Sequence, residues 1–207
     1  FILHLSHEPK QNGIIQRRIL LMSDDEDAVP IIEKKLKIAS QEYPEILLNV
    51  LSEFYFKQQE YDRAFDVKKE GSKSGKPNLN DWLAFANECR KEGQYEVSIE
   101  AYNFILGYKI NSNMAGKALL GLAQTFEDQI IPAHESHLIP YFFDNNLFFE
   151  DPFQVNSSIS PEHLESSLAL YDSLLISLPK SPLLAEAYFR LSEIKYRILQ
   201  DFDQAYA

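Results

Sequence analysis

One short motif recurs along this chain, and its spacing restricts the possible folds more than any other feature. Gln59-Glu60-Tyr61-Asp62-Arg63-Ala64, Gly93-Gln94-Tyr95-Glu96-Val97-Ser98 and Gln200-Asp201-Phe202-Asp203-Gln204-Ala205 each combine a polar turn, an aromatic residue, an acid, and a small residue three positions after the aromatic. Tyr61 and Tyr95 are 34 residues apart. The segments ahead of the turns agree as well. Leu48, Leu51, Ser52 and Tyr55 fall at i, i+3, i+4 and i+7; so do Trp82, Phe85, Ala86 and Cys89, 34 residues later, and Leu119, Leu122, Ala123 and Phe126, a further 37 on. This spacing draws an apolar stripe with one small member down an amphipathic helix. The small member lets a second helix approach closely, and an aromatic from that helix fills the gap beside it. The pattern predicts helix pairs stacked in series.

The tetratricopeptide repeat has this period and the signature W-x2-L-G-x2-Y, then A-x3-F, then P. Trp82-x2-Phe85-Ala86-x2-Cys89 followed by Ser98-x3-Tyr102 resembles it closely. Ser167-x3-Tyr171 with Pro179 resembles the back half of another unit, and Ile32-x3-Leu36 with Ala39 and Pro44 the back half of an earlier, degenerate one. The resemblance implies an all-α fold, an α-α superhelix wound as a right-handed solenoid of about four to five helix pairs. It implies one repeat domain over residues 1–207. Within it lie a degenerate repeat at about 13–44, repeats at 45–76 and 79–112, a split repeat at 115–180 with an insertion at 131–160, and a partial repeat at 182–207. Lys68 stands where the second helix of a pair usually carries an aromatic, and Gly71 where it usually carries alanine, so this helix is expected to be the loosest. Gly71 to Pro77 reads as a loop. Its Gly71-Ser72-Lys73-Ser74-Gly75-Lys76 lacks the spacer and preceding strand of a phosphate loop.

The stretch Leu178-Pro179-Lys180-Ser181-Pro182 followed by the Ala-rich Leu183 to Ser192 is similar to repeats of bacterial envelope proteins: tetratricopeptide outer-membrane assembly lipoproteins and periplasmic cell-division coordinators. That similarity implies a bacterial periplasm or cell-envelope setting. The chain begins at Phe1 without a signal-peptide pattern and stops just after the small residue of a second helix. It is therefore read as a piece of a longer protein that continues with more repeats.

The net charge is −11. No Lys or Arg occurs between Lys117 and Lys180, a stretch with nine acids. Nucleic acid and anionic membrane surfaces need the opposite sign, so neither is an expected partner. A basic protein surface or a cation would suit the stretch; a solvated acidic face is the alternative reading. No run of 18 apolar residues offers a membrane span. The single cysteine, Cys89, permits no internal disulfide and sits at a core position.

The repeat pattern fails between Ile130 and Ser160. Three prolines and the aromatics Tyr141, Phe142, Phe143, Phe148, Phe149 and Phe153 fall there, too many for a solvated linker. They either fold back on the array or form a partner-binding lobe rimmed by Asp144, Glu150 and Asp151.

No catalytic, cofactor or metal site is expected. His134-Glu135-Ser136-His137 lacks the four-residue separation of the H-E-x-x-H zinc motif, and His4 and His7 share the shorter spacing. Asp24 to Asp27 reads as a helix N-terminus, with Pro30 in the first turn, and lacks the glycine and closing glutamate of a calcium loop. No histidine neighbours Cys89 to activate it, and neither a dinucleotide motif nor a serine elbow is present. The expected function is therefore a non-enzymatic scaffold that binds a protein or peptide. In such arrays the first helix of each pair lines the concave surface. The residues expected to face a partner are Asn49, Glu53 and Phe56; Leu83, Asn87 and Arg90; Leu120, Gln124 and Glu127; Phe189, Glu193 and Arg197; and, on the insertion, Phe142, Phe143, Phe148 and Phe149. Glu53 in place of asparagine, and the lack of matching cations, argue against gripping a chaperone's C-terminal carboxylate. The alternative reading is a regulatory or sensory repeat domain attached to an enzyme or transcription factor beyond this stretch.

Overall fold

The computed structural model describes residues 12–73, 75, 77–130, 159–178 and 181–205, and these residues form ten helices and no strand. The fold is all-α, a repeat-like succession in which consecutive helices pack on their neighbours. The contacts divide the chain into two compact units, Phe1–Trp82 and Leu83–Ala207. Among the described residues no helix is long and apolar enough to cross a membrane. The aromatic stretch at 131–158, with Phe142, Phe143, Phe148 and Phe149 and both histidines of the His134–His137 pair, lies outside the described residues, as do His4 and His7.

The first unit holds α1 (Asn12–Met22), α2 (Val29–Glu42), α3 (Pro44–Lys57), α4 (Tyr61–Gly71) and the start of α5 (Leu79–Lys91). The α2–α3 joint follows from Pro44. A residue before proline is pushed out of the helical region, and proline is favoured at the first position of a helix. Tyr43 accordingly takes φ −130° and ψ 62°, and α3 starts at Pro44. Asp24 to Asp27 were expected at a helix N-terminus, with Pro30 in the first turn, and Pro30 does fall in the first turn of α2. The four acids form the turn that leads into α2, whose N-cap is Ala28; Asp25 accepts from the Asp27 amide, and Asp24 pairs with Lys57 across 2.5 Å. An ion pair to α3 and a local turn hold two of these acids.

The stripe expected on α3 is buried throughout: Leu48, Leu51, Ser52 and Tyr55 are all in the core. Opposite Ser52 on α4 lies the fully buried Ala64, and the Ser52 hydroxyl donates to the Ala64 carbonyl at 2.7 Å. Trp82 is buried, with the Phe65 ring edge-on to it at 5.6 Å. Its indole N–H donates to the Ser72 hydroxyl at 3.0 Å. Lys68, which replaces an aromatic in the pattern, holds its ammonium 5.6 Å from the Trp82 ring centre.

The second unit holds the rest of α5, α6 (Tyr95–Leu106), α7 (Ser112–Glu127), α8 (Pro161–Ser177), α9 (Leu184–Arg197) and the short α10 (Phe202–Ala205). Ala86 and Ser98 are fully buried on α5 and α6, and the Ser98 hydroxyl donates to the Ala86 carbonyl at 2.9 Å. Ala123 and Ser167 repeat this on α7 and α8, with Ser167 donating to the Ala123 carbonyl at 3.2 Å. The described residues on either side of the 131–158 stretch meet, since the Ser160 amide donates to the Ile130 carbonyl at 2.8 Å. The α7–α8 pair therefore closes as the α5–α6 pair does, although 44 residues rather than 12 separate its locked residues. Cys89 is buried, as its core position predicts.

Helix α7 departs from a one-sided stripe. All six residues from Leu120 to Thr125 are buried, whereas Leu119 and Phe126 of the expected stripe are half-buried. The cause is its central place. Helix α6 packs on one side, where the Tyr102 ring lies so close over Gly121 that a Cβ there would sit 2.4 Å from it. Leu120 and Ala123 join a core with Tyr171 and Leu174 of α8 and Ala187, Leu191 and Ile194 of α9.

The three turn motifs share a backbone feature. The residue two places before the aromatic has positive φ: Gln59 at 62°, Gly93 at 72° and Gln200 at 55°. In the first two turns the following amide reaches back five residues, from Glu60 to the Tyr55 carbonyl and from Gln94 to the Cys89 carbonyl. Glycine adopts this conformation freely, whereas other residues lose roughly 1–2 kcal/mol there. We expect Gln59→Gly to stabilise the protein by about 0.5–1 kcal/mol and Gly93→Ala to destabilise it by about 1 kcal/mol. Urea denaturation of the two variants reads both signs; equal shifts in one direction would contradict the shared turn.

Candidate functional site

The surfaces formed by the first helix of each pair are the candidate interface, and each unit presents its own. In the first unit Asn49 is exposed on α3, with Glu53 half-buried one turn on. The Asn49 amide donates to one Glu53 carboxylate oxygen at 3.2 Å, and the Gln16 amide of α1 donates to the other. Phe56 is half-buried with its ring edge-on to Tyr61 at 5.1 Å, so it also braces the turn into α4. Beside Asn49 a cleft of about 380 Å³ opens, bordered by residues of α1, α3, α4 and the N-terminal end of α5.

Behind this face lies a charge network centred on Glu33. Its carboxylate accepts from Lys37 at 2.9 Å, from the Tyr55 hydroxyl at 3.0 Å, and from Arg63. The Lys37 hydrogen bond, with smaller contributions from Arg63 and Tyr55 outweighing desolvation, lowers the Glu33 pKa to about 2.

In the second unit the face is largely committed to itself. Leu83 is half-buried, and so is Asn87, whose side-chain oxygen accepts the Tyr102 hydroxyl. Arg90 pairs with Asp128 at 3.0 Å. Glu127 accepts the Tyr171 hydroxyl with one oxygen and faces Arg190 of α9 at 3.4 Å with the other. Leu120 and Gln124 were expected to be exposed between core positions. Both are buried, because α9 packs alongside α7: Leu120 joins the core shared with α9, and the Gln124 amide donates to Glu186 at 2.7 Å. The side-chain Nε groups of Arg90 and Arg190 are buried and have no hydrogen-bond partner among the described residues. On α9, Phe189 is 58% exposed and Glu193 pairs with Arg197 one turn on at 2.6 Å.

Burial decides the electrostatics here. It raises the pKa of both Glu127 and Asp128 above the ordinary carboxylate range, more than the nearby hydroxyl and guanidinium groups lower it. Burial likewise raises Tyr102, to about 12. Among the described residues, no group of three or more His, Cys, Asp or Glu side chains could hold a metal ion.

Sequence reasoning missed Gln16, Glu45 and Asp81 as members of the first unit's face. The stripe rule finds the buried side of a helix and leaves the polar side unresolved, and α1 has only a faint stripe of its own. It also missed that neighbouring first helices tie to one another, because those ties join residues 38 to 63 positions apart. In comparisons with known proteins, no family model and no curated protein matches this chain.

The two carboxylate environments predict opposite acid responses. Glu33 has a folded pKa below its unfolded value of 4.5, so its contribution is present above pH 4.5 and is lost as pH falls from there towards 2. Glu127 is raised, so the folded state takes up its proton first, and stability gains from this group as pH falls towards 4.5. Urea denaturation across pH 7 to 3 should show Glu33→Gln costing stability at neutral pH and progressively less in acid. Glu127→Gln should flatten the gain between neutral pH and 4.5. The same slope in wild type and both variants would contradict these environments.

Proposed function

We propose that this chain is a tetratricopeptide-type repeat scaffold whose first-helix faces hold a protein or peptide partner. The observation that carries the reading is the repeated device inside the helix pairs. Three pairs place a serine and an alanine against each other and join them by a serine hydroxyl to a backbone carbonyl. Pairs built this one way are the units of repeat folds, which use their first-helix faces to hold extended ligands. The polar and aromatic groups left on these faces, Asn49 and Phe189 among them, are interface-forming types rather than catalytic ones.

The test is capture with the whole chain immobilised, comparing substitutions on the two kinds of helix. Asn49→Arg and Phe189→Glu change exposed first-helix positions; Asp66→Arg and Asn103→Arg change exposed second-helix positions on α4 and α6. The proposal expects specifically captured proteins to be lost with the first set and retained with the second. Loss with the second set alone, or with neither, would contradict it.

A further inference from the structure

The cleft of about 380 Å³ in the first unit has a composition that selects a ligand. Its inner wall is formed by Ile46, Val50 and the buried Trp82. Its rim carries Glu45 in the first turn of α3 and Asp81 in the first turn of α5, both exposed. Behind the rim, Glu53 takes the amide N–H groups of Asn49 and Gln16. An amide that turns its N–H towards Glu53 turns its carbonyl oxygen away, so these two side chains offer acceptors to a ligand. The cation among the described lining residues is Lys68, whose ammonium sits over the Trp82 ring. An apolar wall under a rim of carboxylates and carbonyl oxygens matches a side chain with an aliphatic stem and a cationic head. The volume suits one such side chain with its flanking backbone.

We infer that this cleft receives a lysine or arginine side chain from a peptide segment of a partner protein, with the stem against Ile46 and Val50 and the head between Glu45 and Asp81. The inference rests on the peptide-holding reading and specifies its partner. Trp82 is the single tryptophan of the chain and lines the cleft, so its fluorescence reports occupancy without a label.

The experiment titrates the whole chain with blocked hexapeptides that differ only in a central Arg, Leu or Glu. The Arg peptide should shift Trp82 emission saturably, with an affinity that falls as salt is raised. The double variant Glu45→Gln, Asp81→Asn should bind it roughly two- to thirty-fold more weakly, the range expected from losing two exposed ion pairs. Asp62→Asn, an exposed acid of α4 that does not line the cleft, should bind as wild type does. Equal binding by the double variant would overturn the inference, since general attraction to a chain of charge −11 would then account for it. A shift with the Leu or Glu peptide in place of the Arg peptide would overturn the basic partner and leave the peptide-holding reading standing. No shift with any peptide would remove the cleft as a site, while the capture experiment would still decide the broader reading.

Discussion

The close approach of paired helices at small residues is the constraint on which the rest of this structure depends. Two helices with bulky residues at the crossing must stay far enough apart to accommodate them. Ser52 against Ala64, Ala86 against Ser98, and Ala123 against Ser167 remove that bulk at three crossings, and at each a serine hydroxyl satisfies itself on the facing backbone. A buried hydroxyl without a partner is costly, so serine fits this site only when the opposite carbonyl is within reach. The aromatics then find their places. Tyr102 and Tyr171 lie one turn beyond Ser98 and Ser167, fully buried, with hydroxyls directed to Asn87 and Glu127.

The last pair lacks this closure. The segment between the small residue of α9 and the aromatic of α10 is one residue longer than in the α3–α4 and α5–α6 pairs, Ser192 to Phe202 against Ser52 to Tyr61 and Ala86 to Tyr95. Ser192 bonds the Phe189 carbonyl of its own helix, and a cleft of about 490 Å³ is lined by residues of α8, α9 and α10, Ser192 and Ala205 among them. Tyr188, Phe189 and Phe202 stay more than half exposed.

Most of the helix positions were legible in the sequence, because period and turn chemistry are local. Pro44 and Pro161 mark helix starts by their fixed φ, and the turn motifs mark the junctions between α3 and α4 and between α5 and α6. The surroundings of α7 were not legible. A stripe predicts one buried side, and a helix enclosed by α6, α8 and α9 buries more than one. Leu120 and Gln124 therefore passed from expected contact residues to interior ones. The same limit applied to Arg90, Glu127 and Asp128, whose partners lie on other helices and leave no spacing signal within one. Exposed first-helix positions were consequently legible at Asn49 on α3 and Phe189 on α9, and obscured where first helices tie to one another.

Size at the crossing matters more to this fold than the hydrogen bonding made there. Denaturant unfolding of Ser98→Ala and Ser98→Leu separates the two. The alanine variant keeps the close approach and loses the hydroxyl's contacts with the Ala86 carbonyl and the Thr125 hydroxyl, with an expected cost of about 1–2 kcal/mol. The leucine variant loses the same contacts and also forces the helices apart around the fully buried Ala86 and Ser98 positions, which should add about 1–3 kcal/mol to the cost. A leucine variant as stable as the alanine variant would contradict this order of importance, because the crossing would then have room that the structure denies it.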